Sequence, residues 1–233
     1  MLLSRLGPGS RLMEIGCGTG QATAALARRG FRMDCVEPGR NLISVAREKC
    51  RPWPRVRFRE ARFEDVALER GAYDLVFSAQ AFHWVAPAVR LRKTALLLQA
   101  RGSLALLCNY PGRLHDEALE RLSKLIQRES GGMLRTWNYE DDVRGWVREI
   151  SESGLFQDVS VCRHSWRQKY SADQYVGLFQ TYSDFLSLPG ALQERVAACI
   201  HRFIMGQGGH IRRPYDCLLI HARKTGSGGL PTH

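Results

Sequence analysis

Three glycines at alternate positions, Gly16, Gly18 and Gly20, follow a short apolar run, and the next apolar run ends in an acid, Glu37. Glycine costs backbone entropy, but it lets a chain turn sharply and approach a ligand closely. The helix expected after the glycines would present free backbone N–H groups at its start. A carboxylate that ends the neighbouring strand can accept both hydroxyls of a ribose and would repel a ribose 2′-phosphate. The spacing therefore predicts a nucleoside site.

Two common phosphate-binding loops do not fit these glycines. A dinucleotide loop follows G-x-G-x-x-G, and its third glycine relieves the contact between helix and strand. Here Gln21 occupies that third position, and no G-x-x-x-x-G-K-[ST] loop is present. A nicotinamide oxidoreductase is disfavoured on this ground, although it stays open as an alternative.

A parallel sheet would bring these residues to one edge. Short apolar runs alternate with helical patterns from a strand at 11–16 to one at 102–110. This alternation is typical of a parallel sheet covered by helices on both faces. The fourth strand is predicted over 73–85. After Asn109 the rhythm changes to amphipathic helices at 114–130 and 140–154, a strand at 158–171, helical material at 172–206 in two pieces broken at 188–190, and a last strand at 214–224.

Composition narrows the class of protein. At 233 residues the chain suits one large domain, and seven scattered cysteines without a Cys-x-x-Cys pair argue against a disulfide framework or a zinc site. No apolar stretch reaches the length of a membrane span, so we expect a cytoplasmic protein. The net charge of +11 raises the question of nucleic acid. However, the chain has no run of five or more basic residues and no aromatic-basic alternation, so we interpret the charge as a solvated basic surface.

Further motifs follow the glycines in order. An acid pair, Glu64 and Asp65, precedes an aromatic-Asp-apolar strand that begins at Tyr73, and then come His83 and Trp84. Together with the glycines these motifs resemble the class I S-adenosylmethionine-dependent methyltransferases, in particular the small-molecule branch (type 11) with trans-aconitate and ubiquinone-biosynthesis-like enzymes. The resemblance implies an α/β, Rossmann-like fold: a seven-stranded, mostly parallel sheet with an antiparallel last strand, helices on both faces and a helical lid.

The resemblance also implies a cofactor, S-adenosyl-L-methionine, whose methionine end rests on the glycine backbone. Glu14 would lie near the methionine ammonium, Glu37 would bind the ribose, and Ser78 to Gln80 would lie beneath the sulfonium. The backbone around Phe63 and the side chain of Glu64 would face the adenine edge. Glu14 could instead be a structural cap, and Glu64 with Asp65 a solvated turn. The complete predicted cofactor set is Glu14, Gly16, Cys17, Gly18, Thr19, Gly20, Gln21, Glu37, Pro38, Phe63, Glu64, Ser78, Ala79 and Gln80.

The methyl acceptor is expected beyond the carboxyl ends of strands four and five. His83 is a candidate base, since its ordinary pKa suits proton removal at neutral pH, but the His-Trp pair could equally be a packing feature. A carboxylate acceptor needs no base, and Arg135 could help to hold it. The predicted acceptor residues are His83, Trp84, Asn109, Tyr110, Trp137 and Tyr182, and further aromatic lid residues are Tyr139, Trp166, Tyr170, Tyr175 and Phe179.

Other methyl-transfer chemistries lack their motifs. Strand four does not end in an Asn/Asp-Pro-Pro-aromatic sequence, which disfavours amino-group methylation of adenine or glutamine, and no Pro-Cys nucleophile lies near it. No acid cluster ends strand four or five, so we expect no metal. We therefore predict methyl transfer to a small molecule, with O-methylation of a carboxylate or hydroxyl favoured. A catalytically silent cofactor-binding protein and an RNA methyltransferase are the alternatives.

The domain organisation is predicted from the same patterns and the same resemblance. Residues 1–224 are expected to form one domain, as a monomer or homodimer, before a disordered tail at 225–233. Within it, 1–110 would bind cofactor, 111–212 would supply acceptor and lid helices with strand six, and 213–224 would be the last strand. Relatives usually carry a helix that covers the cofactor before the glycine strand. Either this start is downstream of the natural one, or the cofactor site is more open.

Overall fold

The structure, a computed structural model, describes residues 6–112, 116–134 and 139–226. Seven strands form one sheet in the order β3-β2-β1-β4-β5-β7-β6, mostly parallel with an antiparallel last strand, which confirms the predicted fold. The strands are β1 (Arg11–Ile15), β2 (Arg32–Glu37), β3 (Val56–Glu60), β4 (Tyr73–Ala79), β5 (Leu98–Pro111), β6 (Phe156–Ser171) and β7 (His210–Lys224). The helices are α1 (Gln21–Ala27), α2 (Arg40–Cys50), α3 (Pro87–Leu97), α4 (Glu117–Glu129), α5 (Tyr139–Glu152), α6 (Ala172–Phe179), α7 (Ser183–Leu186) and α8 (Gly190–Gly206).

The chain divides into two compact units. The first unit comprises Met1–Cys108, Asp141–Arg163 and Leu218–His233, and the second comprises Asn109–Glu140 and His164–Cys217. The chain passes between them within β5, β6 and β7 and near the start of α5. Of the predicted tail, residues 227–233 lie outside the described part of the chain.

The first unit buries both faces of its strands. Successive residues of a strand point to opposite faces: Met13 and Val76 belong to one buried cluster, and Leu12 and Leu75 to the other. β1 pairs in parallel with both β2 and β4, which brings the carboxyl ends of these strands to one edge. The glycine loop and Glu37 therefore lie at the same end of the sheet.

The second unit has its own apolar core. Residues of α4, α6, α7 and α8 form it, with Phe185, Val196 and Ile200 fully or almost fully buried. α6 begins with a capping box, in which Ser171 accepts from the backbone N–H of Gln174 and Gln174 accepts from the backbone N–H of Ser171. No helix in the described part of the chain has the length and apolarity to cross a bilayer.

Two predicted elements differ from the structure. The strand predicted over 73–85 ends at Ala79, because Gln80 takes a left-handed φ of 63° and Phe82–Trp84 form a 3₁₀ turn. The helical material predicted at 172–206 in two pieces forms three helices. The additional break follows Phe179, where α6 ends before Tyr182.

Candidate functional site

The glycine loop between β1 and α1 is fastened to the end of β2. The backbone N–H groups of Gly16 and Cys17 both donate to the carbonyl oxygen of Val36, at 2.8 and 3.2 Å. Gly16, Gly18 and Gly20 have φ angles of 67°, 52° and 77°, which side chains rarely tolerate. The loop therefore has a fixed path that depends on glycine.

The three glycines differ in what surrounds them. A Cβ at Gly16 would lie 2.3 Å from the Cβ of Ala81, and one at Gly20 would lie 3.1 Å from the Cα and Cβ of Ala46. Packing therefore excludes a side chain at Gly16, whereas at Gly20 the neighbouring Ala46 would have to move by a few tenths of an ångström. A Cβ at Gly18 would meet nothing within 4 Å. The backbone at Gly18 thus borders open space, as a bed for a ligand requires.

Glu37 lies beside that open position. It is only 7% exposed. Its Oε2 accepts a hydrogen bond from the backbone N–H of Gly18 at 3.0 Å, and its Oε1 accepts one from the backbone N–H of Gly39 at 2.8 Å. A carboxylate oxygen has a second lone pair, so each can also accept a hydroxyl. The two Glu37 oxygens can therefore accept the two hydroxyls of a ribose, beside the open space at Gly18.

Glu14 lies deeper, with 1% of its surface exposed. Its Oε2 accepts from the Thr23 hydroxyl at 2.5 Å, and the Cys35 thiol lies 3.7 Å from the same oxygen. Burial raises the pKa of Glu14 to about 7, although the hydrogen bonds from Thr23 and Cys35 oppose the rise. These bonds are all to protein groups. A contact between Glu14 and the methionine ammonium stays a prediction.

The predicted adenine residues lie after β3. Phe63 places its side chain in the core. The Oε1 of Glu64 accepts from the backbone N–H of Ala86 at 2.9 Å and lies 3.6 Å from Arg62. The Ala86 hydrogen bond lowers the pKa of Glu64. Glu64 therefore holds the start of α3, and its contact with adenine stays a prediction.

The end of β4 carries the residues predicted beneath the sulfonium. The Ser78 hydroxyl is buried and donates to the carbonyl oxygen of Ile15 at 2.9 Å, which ties β4 to β1. Gln80 donates its backbone N–H to Leu107 at 3.0 Å while holding its left-handed φ. Such a conformation costs free energy in a non-glycine residue and is common at functional sites. The other predicted cofactor residues are Cys17, which is buried, Thr19 and Ala79, which are partly exposed, and Gln21 and Pro38, which are exposed.

His83 and Trp84 are exposed in the 3₁₀ turn after β4. The Trp84 side chain is 78% exposed, and the two ring centroids lie 5.0 Å apart. Partial burial lowers the pKa of His83, nearby Asp142 opposes this effect, and Arg90 adds to it. The lowered pKa favours the neutral imidazole that a base requires. The role of His83 as a base stays a prediction.

The remaining predicted acceptor residues belong to the second unit. Asn109 accepts from the indole N–H of Trp166 at 3.0 Å, and the Tyr182 hydroxyl accepts from Arg213 at 3.0 Å. Tyr110 is partly exposed on β5. Arg135 and Trp137 lie outside the described residues, as does the Tyr139 side chain. Reasoning from the sequence missed Arg213 and Tyr215, which join this aromatic group. The adjacent Arg212 and Arg213 gave no sign of which one turns inward.

Comparison with known proteins agrees with the fold. A family model described as a methyltransferase domain matches residues 13–106. An uncharacterized methyltransferase of Mycobacterium tuberculosis is 28% identical over 142 residues, which are 61% of this chain and 45% of the relative. A ubiquinone biosynthesis O-methyltransferase of Xanthomonas campestris is 32% identical over 102 residues, 42% of this chain and 43% of the relative. The chain thus spans about half the length of these curated relatives.

Solved structures share the fold along almost the whole chain. A protein from Anaeromyxobacter dehalogenans, named as a candidate type II methyltransferase, superimposes over 95% of this chain and 93% of its own, with a TM-score of 0.69 and 20% identity. A geranyl diphosphate C-methyltransferase from Streptomyces coelicolor, solved with S-adenosyl-L-homocysteine, covers 94% of this chain and 71% of its own at a TM-score of 0.51 and 14% identity. Residues 13–106 thus match a methyltransferase domain, and the chain shares the Rossmann-like fold of these methyltransferase structures.

Proposed function

We propose that this chain transfers the methyl group of S-adenosylmethionine to an oxygen of a small molecule, a carboxylate or a hydroxyl. The observation that carries the proposal is the contact of the buried Glu37 carboxylate with the backbone N–H of Gly18, beside open space. The bound cofactor supplies a methyl group on a sulfonium, which leaves as a neutral thioether. The protein has to orient the two reactants and exclude water.

The glycine loop and the two carboxylates beside it have separate roles in this proposal. The main chain at Gly18 supports the amino-acid end of the cofactor, because no Cβ fills the space above it. Glu37 accepts the ribose hydroxyls through its remaining lone pairs. Glu14, buried below, fastens α1 to β1 through Thr23 and so holds the loop in place.

The nature of the acceptor is supported by relatives. The Xanthomonas relative is named an O-methyltransferase, which supports oxygen as the acceptor atom. The Streptomyces structure is of an enzyme named for a small diphosphate, which supports a small-molecule acceptor. In an oxygen nucleophile that is already ionised, such as a carboxylate, no base is needed. Transfer to a carboxylate therefore needs no catalytic role for His83, whereas transfer to a hydroxyl requires a base to take its proton, for which His83 is the candidate.

Calorimetry with S-adenosylmethionine and S-adenosylhomocysteine tests the cofactor site. We expect Glu37→Gln to weaken cofactor binding by about tenfold to a hundredfold, because hydrogen bonds to a charged acceptor contribute roughly 1.5–3 kcal/mol. Glu60→Gln is the matched control, since Glu60 is exposed and pairs in register with Glu37 on the next strand. Equal affinities for wild type and Glu37→Gln would refute the proposed ribose contact.

Release of S-adenosylhomocysteine with a panel of carboxylic acids, phenols and amines tests the transfer itself. Turnover with acids or phenols, but not with amines, is the expected result. Cofactor binding without turnover on any acceptor would favour a catalytically silent protein. The net charge of +11 favours RNA as the second candidate acceptor. An RNA acceptor requires a binding constant that falls steeply with salt concentration, and we expect no such slope.

A further inference from the structure

Arg213, on β7 in the second unit, is a partly buried cation among tyrosines. Its guanidinium carbon lies 5.6, 5.9 and 5.3 Å from the ring centroids of Tyr175, Tyr182 and Tyr215. One guanidinium nitrogen donates to the Tyr182 hydroxyl at 3.0 Å. Tyr175 and Tyr215 are buried, whereas Arg213 and Tyr182 remain partly open to solvent. The charge is therefore desolvated on several sides and still accessible.

No carboxylate neutralises this cation among the residues that the structure describes. The nearby acid on the same strand, Asp216, accepts from Ser165 at 2.5 Å. Asp216 is an odd number of positions from Arg213, and side chains at such positions point to opposite faces of a strand. An arginine has five N–H donors, and Tyr182 uses one of them. Removing a guanidinium from water without a counter-ion is unfavourable, so the site is poised for an anion.

The aromatic walls around Arg213 are held in place. The Tyr215 ring stacks on Trp166, with centroids 4.8 Å apart and planes 19° apart, and its hydroxyl lies 2.8 Å from the Tyr170 hydroxyl. Asn109 in turn accepts the indole N–H of Trp166 at 3.0 Å. The Tyr182 hydroxyl accepts from Arg213, so its own proton is available to an added acceptor. Cation, donor and rings are thus positioned before any ligand arrives.

We infer that Arg213 and Tyr182 bind the oxyanion group, carboxylate or phosphate, of a small acid, whose apolar body packs on the surrounding tyrosine rings. The inference concerns the second unit alone and names the ligand class as an acid with an aromatic or otherwise apolar body. A guanidinium matches two oxyanion oxygens with two parallel N–H groups. The tyrosines favour a flat or apolar body over a highly polar one.

Ligand-observed NMR with benzoate, benzamide and inorganic phosphate tests the site. Benzoate and benzamide have the same shape and differ in charge, so wild type should bind benzoate at least about tenfold more tightly. Phosphate binding that is also lost in Arg213→Met would show that the charge alone suffices as the recognised group. Phosphate binding that persists in this variant would overturn the assignment of Arg213 as the oxyanion ligand.

The matched control is Arg212→Met, which removes the same charge from an exposed side chain at the adjacent position. We expect Arg213→Met to lose at least about tenfold in benzoate affinity, as one charged hydrogen-bonded contact is removed, and Arg212→Met to stay near wild type. Equal losses in both variants, or none in Arg213→Met, would overturn the inference. If Arg213→Met fails to fold, Arg213→Lys keeps the charge without the bidentate fork. It should then bind benzoate more weakly than wild type, and unchanged affinity would count against the inference.

Failure of this inference is distinguishable from failure of the proposed function. Glu37→Gln should weaken S-adenosylmethionine binding and keep benzoate binding, whereas Arg213→Met should weaken benzoate binding and keep S-adenosylmethionine binding. Absence of cofactor binding in wild type would remove the proposed function and leave the anion site to be judged by benzoate.

Discussion

Replacing Glu14 with glutamine should change the way in which stability depends on pH. Glu14 is buried, and its Oε2 accepts from Thr23 at 2.5 Å. The thiols of Cys35 and Cys50 interact electrostatically with this carboxyl. Burial raises the pKa of Cys35 and of Cys50, so both stay protonated through neutral pH. The carboxyl of Glu14 is then the group of this cluster that titrates between pH 5 and pH 8.

The size of the effect follows from the pKa of Glu14, which burial raises from 4.5 to about 7. A pKa that is higher in the folded state means that the native protein binds this proton more tightly than the unfolded chain does. Stability from this proton is therefore complete below the unfolded pKa and is lost as the pH rises through 7. Each pKa unit corresponds to ~1.4 kcal/mol, so between pH 5 and pH 8 the free energy of unfolding should lose ~2.5 kcal/mol.

Urea unfolding of wild type and Glu14→Gln at several pH values, without cofactor, measures this loss. The amide of glutamine does not titrate, so any constant cost of its extra N–H is the same at every pH. The difference between wild type and variant should therefore fall by ~2.5 kcal/mol from pH 5 to pH 8. Glu60→Gln, at an exposed position, should give a flat difference. Parallel curves for wild type and Glu14→Gln would refute the reasoning that Glu14 is a desolvated acid.

Four further predictions use urea unfolding, calorimetry and steady-state kinetics. Gly16→Ala should destabilise by ~2 kcal/mol or more, because its Cβ would lie 2.3 Å from another side chain. Gly18→Ala, in open space, should lower the free energy of unfolding by only about 1 kcal/mol, because of its positive φ. In calorimetry it should nevertheless weaken cofactor binding at least as much as Gly16→Ala does. Weaker cofactor binding in Gly16→Ala than in Gly18→Ala would contradict a ligand site at Gly18. His83→Ala should leave the pH profile of kcat/KM unchanged from pH 6 to pH 9 with a carboxylate acceptor, and loss of the basic limb would make His83 the base. Glu149→Gln should lower the free energy of unfolding by about 1–2 kcal/mol, because the Glu149 carboxylate accepts hydrogen bonds from the Nε–H and one Nη–H of the partly buried Arg90. A denaturation midpoint equal to wild type would contradict this.

The sheet was predictable from the sequence because the patterns that define its strands are local. Buried parallel strands are short apolar runs, and helices have a different periodicity, so order and alternation follow from the sequence. The end of β4 was not predictable in this way. The apolar run continues to Val85, and periodicity alone cannot show that Gln80 takes a left-handed conformation and ends the strand.

The two candidate sites differ in the same respect. Glu37 and Gly18 are 19 residues apart, and their contact follows from one strand-helix-strand repeat. Arg213 meets Tyr182 across 31 residues, and Trp166 meets Asn109 across 57. No local rule distinguishes Arg213 from Arg212. Only the face on which the last strand packs decides which arginine is enclosed.

This difference in locality has a consequence for function. The family model matches residues 13–106, which all lie in the first unit, Met1–Cys108 with its later segments. In the proposed cofactor site, recognition depends largely on main chain and one carboxylate, and main chain tolerates wide changes in sequence. The proposed anion site depends on side chains from separate elements of the second unit, where one substitution of Arg213 removes the charge. The match to the family model therefore bears on the first site alone, and the chemistry of the second has to be inferred from the side chains around Arg213.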